Sequence, residues 1–488
     1  MPGGGLGGLP IGNGCGPKAG GSGLMMILVV VVLFVVMSRG CGGIDLGGGG
    51  GTGGGGGVGP RTELIATEAV TRDDMSAADR QQMDQSALDA RDDVNEYWED
   101  VFDDVWPSGQ YSPPSGGAFP FDPANDSGLS CGQSLPNNLL ENNAIYCPPE
   151  DYITWDSRYL FPKLSENFGA AAPAVVMAHE WGHMVQSKAG VEGPTIVKEL
   201  QADCLAGAWV NSIQADESER VTPFSGDELD GSVAGFLLLR DPPGLDPLSQ
   251  GAHGSGFDRV LAYEDGLING PSTCATYNEQ NVLARVVDLE FAPEDQSTGG
   301  NLPYQEALDV TLRGLSEYWA PEIQSEFGDQ LGLDEYQSSR GGRPSCPNTS
   351  QEEGGPIFWC TDTGSISFDQ DTLAKVHADI GDFALALLFA REYGQAVLDI
   401  ERVRGTETEL DIASHCLAGV WARAVYDGNL QIGTDTDGTP LFLDLSAGDL
   451  DEAMAVMLRY RNPRFDATLF ARTNAFRDGF MEGEAACT

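Results

Sequence analysis

The most apolar stretch of the chain is the run LMMILVVVVLFVVM at residues 24–37. Fourteen apolar residues are few for a membrane span, but the glycines before the run and Ser38 after it extend the uncharged stretch to about nineteen residues. The pattern predicts one uncleaved transmembrane helix over residues 24–38. A cleaved signal peptide is the alternative, which is disfavoured because only Lys18 precedes the run as a basic residue and no small-residue cleavage motif follows it.

Glycine-rich segments lie on both sides of this run, at residues 1–23 and 39–62. Residues 1–60 hold 25 of the 64 glycines, and glycine loses the most conformational entropy when a chain becomes ordered. No packed core is therefore expected there, and residues 39–62 are predicted to form a flexible tether. Cys41 stands where a lipid-attachment cysteine could, but the preceding SRG sequence fits such a signal poorly.

The rest of the chain contains an internal repeat, in which helix-like apolar patterns recur with nearly the same residues. VVMAHEWGHMV, which begins at residue 175, aligns with LLFAREYGQAV, which begins at residue 387, and CLAGAW aligns with CLAGVW at the same offset of 212. YEDGLINGPSTC and FRDGFMEGEAAC match at an offset of 213, from residue 263 to residue 476. Because these blocks agree on the offset to within one residue, we interpret residues 85–280 and 305–488 as tandem copies of one domain.

Eight of the ten cysteines fall into two matched sets of four. Four cysteines in a copy allow three connectivities, which sequence alone does not resolve, although proximity favours pairing the first with the second and the third with the fourth. Such sets favour an oxidising compartment, so both copies are expected on the extracytoplasmic side, and ordinary buried thiols are the alternative. The disulfide candidates are Cys131, Cys147, Cys204 and Cys274 in the first copy, and Cys346, Cys360, Cys416 and Cys487 in the second.

The charge of the chain excludes some classes of partner. The 74 acidic and 27 basic residues give a formal net charge of −47, whereas a nucleic-acid binder needs lysine and arginine in excess to neutralise phosphates. The same charge argues against a surface that docks on anionic lipid. Hydrophobic residues make up 41% of the chain, so ordinary cores can form.

The first copy contains the sequence HEWGH, in which His179 and His183 are four residues apart. The preceding segment is apolar and Pro173 suits the first turn of a helix, so both imidazoles are predicted to share one helix face and reach one metal ion. Glu180 then lies beside the metal, where it can accept a proton from a bound water. A helix with two surface histidines and no metal is the alternative.

A second helical segment, at residues 196–213, carries Glu199 and Asp203, which are again four residues apart. This pair can supply a third ligand and a carboxylate that accepts the remaining N–H of a ligating histidine. Three protein ligands leave one position for water, which is typical of catalytic zinc. We reject Cys204 as a ligand because its counterpart, Cys416, persists where the histidines are absent.

The second copy lacks this set of candidate ligands. Arg391 stands in place of His179, and a guanidinium group has no free lone pair for a metal. Glu180 alone is retained, as Glu392. The other replacements are His183 by Gln395, Glu199 by Asp411 and Asp203 by His415. The second copy is therefore predicted to be non-catalytic, and the metal of the first copy to serve chemistry rather than folding.

His253 lies in the sequence GAHG, ahead of a predicted helix that begins near Phe257. Its counterpart in the second copy is about Asp466, so this histidine is confined to the copy with the candidate metal site. One hypothesis makes His253 a catalytic donor to the oxyanion that develops at the zinc. A structural histidine with satisfied hydrogen bonds is the alternative.

These motifs give the chain a family resemblance. HEWGH, ELQADCLAGAW, YITWD and the pair His253 and Arg259, behind an N-terminal anchor, resemble the bacterial family of putative neutral zinc metallopeptidases over about residues 1–280. The resemblance implies an α+β, zincin-like fold with a small sheet and active-site helices. It also implies a Zn²⁺ cofactor, with Glu199 as the third ligand and Asp203 as the carboxylate behind a histidine.

Two functions follow from this resemblance and from the repeat. The first is a membrane-anchored zinc metalloendopeptidase that acts on a peptide or protein substrate, with Glu180 as general base; the strand-like YITWD would then form a sheet edge beside the cleft. The second is a binding scaffold in which the degenerate copy recruits a protein partner. The intact ligand set of the first copy favours the enzyme.

Overall fold

The computed structural model describes residues 68–249, 251–293, 295–327, 331–349, 354–434, 437–460 and 467–487. The predicted anchor at residues 24–38 and the glycine-rich segments beside it lie outside these ranges. Within them, no helix combines the length and the apolar character that crossing a bilayer requires.

The first half of the described chain places one long helix before a small sheet and a group of helices after it. Serine side chains cap three of these helices, because the hydroxyl of Ser76 accepts the backbone N–H of Asp79, that of Ser225 accepts the N–H of Glu228 and that of Ser255 accepts the N–H of Asp258. The elements are α1 (Ala77–Val105), β1 (Gly117–Phe121), β2 (Ala144–Cys147), β3 (Tyr152–Asp156), α2 (Leu160–Phe168), α3 (Ala171–Ala189), α4 (Thr195–Gln214), α5 (Gly226–Leu238), α6 (Gly256–Asn269), α7 (Pro271–Cys274) and α8 (Glu279–Leu283).

The second half also has helices before and after a small sheet in chain order, and it adds a two-stranded hairpin. The elements are α9 (Tyr304–Tyr318), α10 (Ala320–Phe327), β4 (Gly332–Tyr336), β5 (Ile357–Cys360), β6 (Ser365–Asp369), α11 (Gln370–Asp379), α12 (Asp382–Ile400), α13 (Glu407–Tyr426), β7 (Leu430–Thr434), β8 (Pro440–Leu443), α14 (Asp449–Arg459) and α15 (Leu469–Glu482). The described residues thus form a mixed α and β fold with small sheets, as expected.

Two of the sheets have three strands each and the same construction. In the first, β3 lies between a parallel β1 and an antiparallel β2; in the second, β6 lies between a parallel β4 and an antiparallel β5. The prediction that YITWD forms a sheet edge is therefore wrong. This segment is β3, which is buried along its whole length and hydrogen-bonded on both sides.

Four pairs of cysteines lie at disulfide bonding distance. The pairs are Cys131–Cys147, Cys204–Cys274, Cys346–Cys360 and Cys416–Cys487. Of the three connectivities open in each half, this is the one that proximity along the chain favours. The Cys204–Cys274 bond links α4 to α7, and Cys416–Cys487 links α13 to the short turn that follows α15.

One hydrophobic core extends through both halves of the chain. The two halves meet where α5 and α6 pack against α14 and α15. There the ring of Phe257 on α6 lies 6.3 Å from the ring of Phe476 and 5.3 Å from that of Phe480, both on α15. Such edge-to-face contacts add to the burial of the rings themselves, so the halves form one packed unit.

Candidate metal centre

The site is built where α3 and α4 cross closely. A Cβ atom on Gly182, in the middle of HEWGH, would lie 2.9 Å from Cα of Ala202 on α4. Only glycine allows this approach without displacing a backbone. α3 has Pro173 in its first turn and ends at Gly190, which adopts a left-handed conformation with φ of 71°. The crossing places the HEWGH turn against the turn of α4 that carries Glu199 and Asp203.

Three predicted ligands converge at this crossing. The Nε2 atoms of His179 and His183 are 3.1 Å apart. Glu199 Oε2 lies 3.3 Å from Nε2 of His179, and Glu199 Oε1 lies 3.5 Å from Nε2 of His183. His179 and Glu199 are buried, whereas His183 is partly exposed. The spacing of four residues therefore places both imidazoles on one helix face, as the sequence predicts, and the carboxylate faces them.

A buried acid–base pair fixes the ring of His179. Its Nδ1 lies 2.6 Å from Oδ1 of Asp203, and Asp203 accepts hydrogen bonds from Nε and Nη2 of Arg259 at 2.9 and 2.8 Å. Arg259 also donates to the carbonyl oxygen of Leu239 at 2.7 Å. Asp203 thus holds the proton of His179 on Nδ1, which leaves the lone pair of Nε2 directed at the other ligands.

An amide fixes the ring of His183 in the same way. Its Nδ1 lies 3.1 Å from Oε1 of Gln186, and Gln186 donates from Nε2 to the carbonyl oxygen of Lys198 at 2.7 Å. Because the side-chain amide of Gln186 already donates to α4, its oxygen is the acceptor for the imidazole N–H. Nε2 of His183 is therefore also left with its lone pair toward the cluster.

Glu180 is held against the sheet. Its Oε2 accepts the backbone N–H of Tyr146, on the edge strand β2, at 2.8 Å. Within the described residues no hydrogen bond engages its Oε1. The carboxylate is thus anchored by one oxygen and open at the other, next to the candidate ligand His179 in the sequence.

The electrostatics of the cluster favour positive charge. Burial disfavours the charged imidazole of His179, but the carboxylates of Asp203 and Glu199 outweigh burial and raise its pKa to about 10. Burial acts against the ionised form of Glu199 too, yet His183 and His253 hold the pKa of that carboxyl well below its usual range. A pocket with these carboxylates therefore stabilises a cation at the point where the ligand atoms meet.

His253 lies in a loop that Asp241 organises. The carboxylate of Asp241 accepts the backbone N–H groups of His253 and Gly254 at 2.6 and 2.8 Å, and its Oδ1 lies 3.2 Å from Nδ1 of the imidazole. Burial opposes protonation of His253, but the carboxylates of Glu199 and Asp241 raise its pKa. The structure thus fixes the position of His253 through Asp241 and brings its charge within the influence of Glu199.

The corresponding place in the second half holds an arginine. The guanidinium of Arg391 contacts the carboxylate of Glu392, and its Nη1 lies 3.8 Å from Oδ1 of Asp411. Glu392 Oε2 accepts the backbone N–H of Trp359 on β5 at 2.7 Å, as Glu180 does from β2. The retained glutamate therefore has a structural role in both halves. The cation of Arg391 compensates the charge of the buried carboxylates there.

Other groups of candidate ligands are chemically different. Among the described residues, three further groups have ligand atoms within 4.8 Å of one another, and two of them contain cysteines that are bonded in disulfides. The third consists of Asp382, Asp449 and Glu452, which is an all-carboxylate set. In this part of the chain, two imidazoles and a carboxylate come together only at His179, His183 and Glu199.

Sequence reasoning missed three supporting residues of the site, which are Asp241, Arg259 and Gln186. Arg259 belongs to the motif after His253, but no role was predicted for it, because its contact with Asp203 joins segments 56 residues apart. Gln186 lies three residues after His183 and was overlooked, although the repeat offers a signal: its counterpart is Leu398, so the amide occurs only beside the histidines.

Comparison with known proteins gives distant relatives. The proteins Mb2605 of Mycobacterium bovis and Rv2575 of Mycobacterium tuberculosis are each 27% identical to this chain over 178 residues, which is 31% of this chain and 59% of theirs. YpfJ of Escherichia coli K12 is 27% identical over 180 residues, which is 31% of this chain and 58% of that protein. All three are uncharacterized proteins, and the chain spans about three fifths of their length. No solved structure matches the chain.

A family of known proteins matches the part of the chain that contains the cluster. The match ends before His253 and Arg259, so it is shorter than the resemblance suggested at about residues 1–280. The name of the family indicates a zinc cofactor. Residues 3–227, which include His179, His183 and Glu199, match the family described as "Putative neutral zinc metallopeptidase".

Proposed function

We propose that this chain is a zinc-dependent endopeptidase whose active site consists of His179, Glu180, His183 and Glu199. One observation carries the proposal: two imidazole nitrogens and a carboxylate meet at 3.1–3.5 Å, while Nδ1 of each histidine faces a separate acceptor, Asp203 or Gln186. Three sets of lone pairs that converge in a buried place repel one another unless a cation lies among them.

The residues present fit a zinc ion. Glu199 Oε2 is buried and has no hydrogen-bond partner in the part of the chain that the structure describes. A buried carboxylate oxygen without a partner is costly, and a metal ion removes that cost. Two histidines and one glutamate are a ligand set of catalytic rather than structural zinc, because they leave one position open. The hydrogen bonds of His179 and His183 to Asp203 and Gln186 are the outer support that such ligands need.

Hydrolysis would use the residues around this ligand set. Zinc held by His179, His183 and Glu199 supplies Lewis-acid chemistry, which lowers the pKa of water and polarises a peptide carbonyl. Glu180 accepts the proton of the attacking water at Oε1, while Tyr146 keeps Oε2 in place. The same carboxyl group then returns the proton to the leaving nitrogen. His253, positioned by Asp241, donates to the developing oxyanion.

The second half is best explained as a degenerate copy of the first. Its support is the identical sheet construction, the matching pairs of cysteines and the equivalent hydrogen bonds of Glu180 and Glu392. Arg391 takes the position of a ligand and neutralises the carboxylates that remain. We therefore assign no catalysis to residues 305–488.

The location of the protein is part of the same proposal. The apolar run at residues 24–38 would anchor the chain in a membrane, and the tether at residues 39–62 would carry the domains away from it. Disulfides persist in oxidising compartments, so the bonded cysteines support an extracytoplasmic position. A peptide or protein outside the cytoplasm is then the substrate.

The test replaces the proposed general base and its counterpart. Glu180→Gln and Glu392→Gln each alter a carboxylate that accepts a backbone N–H. Glu392→Gln also removes the charge partner of the buried Arg391, so this variant is expected to lose more stability than Glu180→Gln. Only Glu180→Gln is expected to abolish cleavage of a peptide library, while its zinc content stays equal to that of the wild type. The proposal fails if Glu180→Gln cleaves as fast as Glu392→Gln.

A further inference from the structure

The two halves cap each other's helices in a reciprocal way. The backbone N–H of Phe257, in the first turn of α6, donates to Oδ1 of Asp451 on α14 at 2.9 Å. The backbone N–H of Leu469, in the first turn of α15, donates to Oδ1 of Asp230 on α5 at 2.8 Å. Each carboxylate thus satisfies a free N–H group at a helix start in the other half and lies favourably in the field of that helix.

The sequence relates the two aspartates. LDGSVAGFLLLRDP, which begins at residue 229, aligns with LDEAMAVMLRYRNP, which begins at residue 450, so Asp230 and Asp451 are equivalent positions at an offset of 221. Both are buried, with 5% and 2% of their surface exposed. The interface between the halves therefore contains the same type of helix cap twice. The cap by Asp451 is at the start of α6, the helix that carries Arg259.

Asp451 has a second partner in the first half. Its Oδ2 lies 3.1 Å from Nε of Arg240, and both side chains are buried. The packing around this pair is tight, because a Cβ atom on Gly256 would lie 3.2 Å from Oδ1 of Asp451 and 3.1 Å from Cδ of Arg240. One carboxylate of the second half therefore joins two segments of the first: the start of α6 and the chain just after α5.

These two segments contain the residues that hold Asp203 and, through it, the candidate ligand His179. Arg259 lies two residues after Phe257, on the first turn of α6, and donates both to Asp203 and to the carbonyl oxygen of Leu239. Leu239 and Arg240 are neighbours in the segment that Asp451 holds. A shift of either segment would thus move Arg259 relative to Asp203, and Asp203 sets the tautomer and orientation of His179.

The same segment positions His253. Asp241 follows Arg240 directly and binds the backbone N–H groups of His253 and Gly254. The backbone N–H of Asp241 in turn donates to the carbonyl oxygen of Gly254 at 3.0 Å. Asp451 therefore contacts Arg240, and the next residue in the chain, Asp241, holds the loop of the proposed oxyanion donor.

We propose that Asp451, although it belongs to the second half, is a positioning residue of the zinc site in the first half. It acts through Arg240 and α6 on Arg259, Asp203 and finally His179. This inference rests on the proposed function, because the zinc site is what Asp451 supports. The second half has thus kept a role after losing its own ligands, since it completes the scaffold of the intact site.

The experiment compares Asp451→Asn with its equivalent, Asp230→Asn, in the full chain purified in detergent. Each variant removes the charge from one reciprocal cap, so both are expected to lower the midpoint of thermal unfolding by similar amounts. Zinc affinity, measured by competition with a chromophoric chelator, is expected to fall about tenfold in Asp451→Asn and to change less than twofold in Asp230→Asn. The visible spectrum of the Co²⁺-substituted protein should change in Asp451→Asn only.

A further variant keeps the test decisive if Asp451→Asn does not fold. Arg240→Gln breaks the same ion pair from the side of the first half and is expected to show the same loss of zinc affinity. Equal zinc affinities and Co²⁺ spectra in the wild type, Arg240→Gln and both aspartate variants would overturn this inference alone. A wild-type chain that binds no zinc would overturn the proposed function as well.

Discussion

Glu264 offers a sharp test of how the two halves are packed. This side chain lies on α6, is fully buried, and faces Thr473 on α15, whose hydroxyl donates to Glu264 Oε1 at 2.5 Å. The other oxygen, Oε2, has no hydrogen-bond partner among the described residues. Burial without sufficient hydrogen bonds raises the pKa of this carboxyl from 4.5 to about 8.

The sign and size of the effect on stability follow from this pKa. Below pH 4.5 the carboxyl group is protonated in both the folded and the unfolded chain, so its titration does not change the free energy of unfolding. Between pH 4.5 and about 8 the unfolded chain ionises while the folded chain keeps its proton, and stability falls by about 1.4 kcal/mol for each pH unit. The total loss is at most about 5 kcal/mol, and it is complete above pH 8.

The perturbation is Glu264→Gln, which keeps the shape of the side chain and removes its ionisable carboxyl group. The free energy of unfolding is measured by denaturant titration from pH 5 to pH 9 for the wild type and the variant. We expect similar stabilities at pH 5, within about 1 kcal/mol, and a difference that grows toward pH 9 in favour of Glu264→Gln. A difference that stays constant across this range would refute the burial argument.

A control separates this effect from general titration of the protein. Glu409 is exposed, and its carboxylate accepts hydrogen bonds from the backbone N–H and the hydroxyl of Thr406, which lower the pKa of this carboxyl. Glu409→Gln should therefore show a difference curve without slope from pH 6 to pH 9, because the carboxyl is ionised in both states throughout that range.

Two further predictions concern the site. Gln186→Leu introduces the residue type found at the equivalent position 398 and removes the acceptor for Nδ1 of His183. Zinc affinity, measured by chelator competition, should therefore fall about tenfold. Unchanged affinity would mean that Gln186 does not orient His183. Gly182→Ala places a Cβ 2.9 Å from Cα of Ala202, and Gly394→Ala places one 2.9 Å from the carbonyl oxygen of Ser414. Both substitutions should cost about 1–3 kcal/mol of stability. Only Gly182→Ala should weaken zinc binding, because it moves α4 and Glu199 away from the histidines. Equal zinc affinities in the two variants would contradict this geometry.

Much of the site could be predicted from the sequence because its order is local. Four-residue spacing determines which side chains share a helix face, so HEWGH was enough to place His179 and His183 together, and the same rule applied to Glu199 and Asp203. The spacing did not predict the crossing of α3 and α4, which Gly182 and the small residue Ala202 make possible. The pairs of cysteines followed from their proximity along the chain.

What the sequence did not reveal depends on contacts between distant segments. Arg259 reaches Asp203 across 56 residues and Asp451 reaches Phe257 across 194 residues, and no periodic pattern encodes such distances. The error about β3 has a related cause. YITWD suits any strand, and only the pairing with β1 on one side and β2 on the other makes it central.

The persistence of Glu392 also has a physical reason that the sequence concealed. The repeat shows only that this glutamate is retained where the candidate ligands are not. In the structure its carboxylate binds the backbone N–H of Trp359 on β5 and the guanidinium of Arg391. Glu180 therefore combines the same anchoring hydrogen bond with its proposed role in proton transfer. Among the described residues, only the first half brings together the two imidazoles and the carboxylate that this second role would need.

The zinc content of the full chain tests the central claim most directly. After dialysis against metal-free buffer, we predict one zinc ion per chain by elemental analysis, with nitrogen and oxygen ligands and no sulfur in its X-ray absorption spectrum. His183→Ala should remove this ion. No bound zinc in the wild type, a second ion held by the second half, or a zinc ion with sulfur ligands would contradict the account.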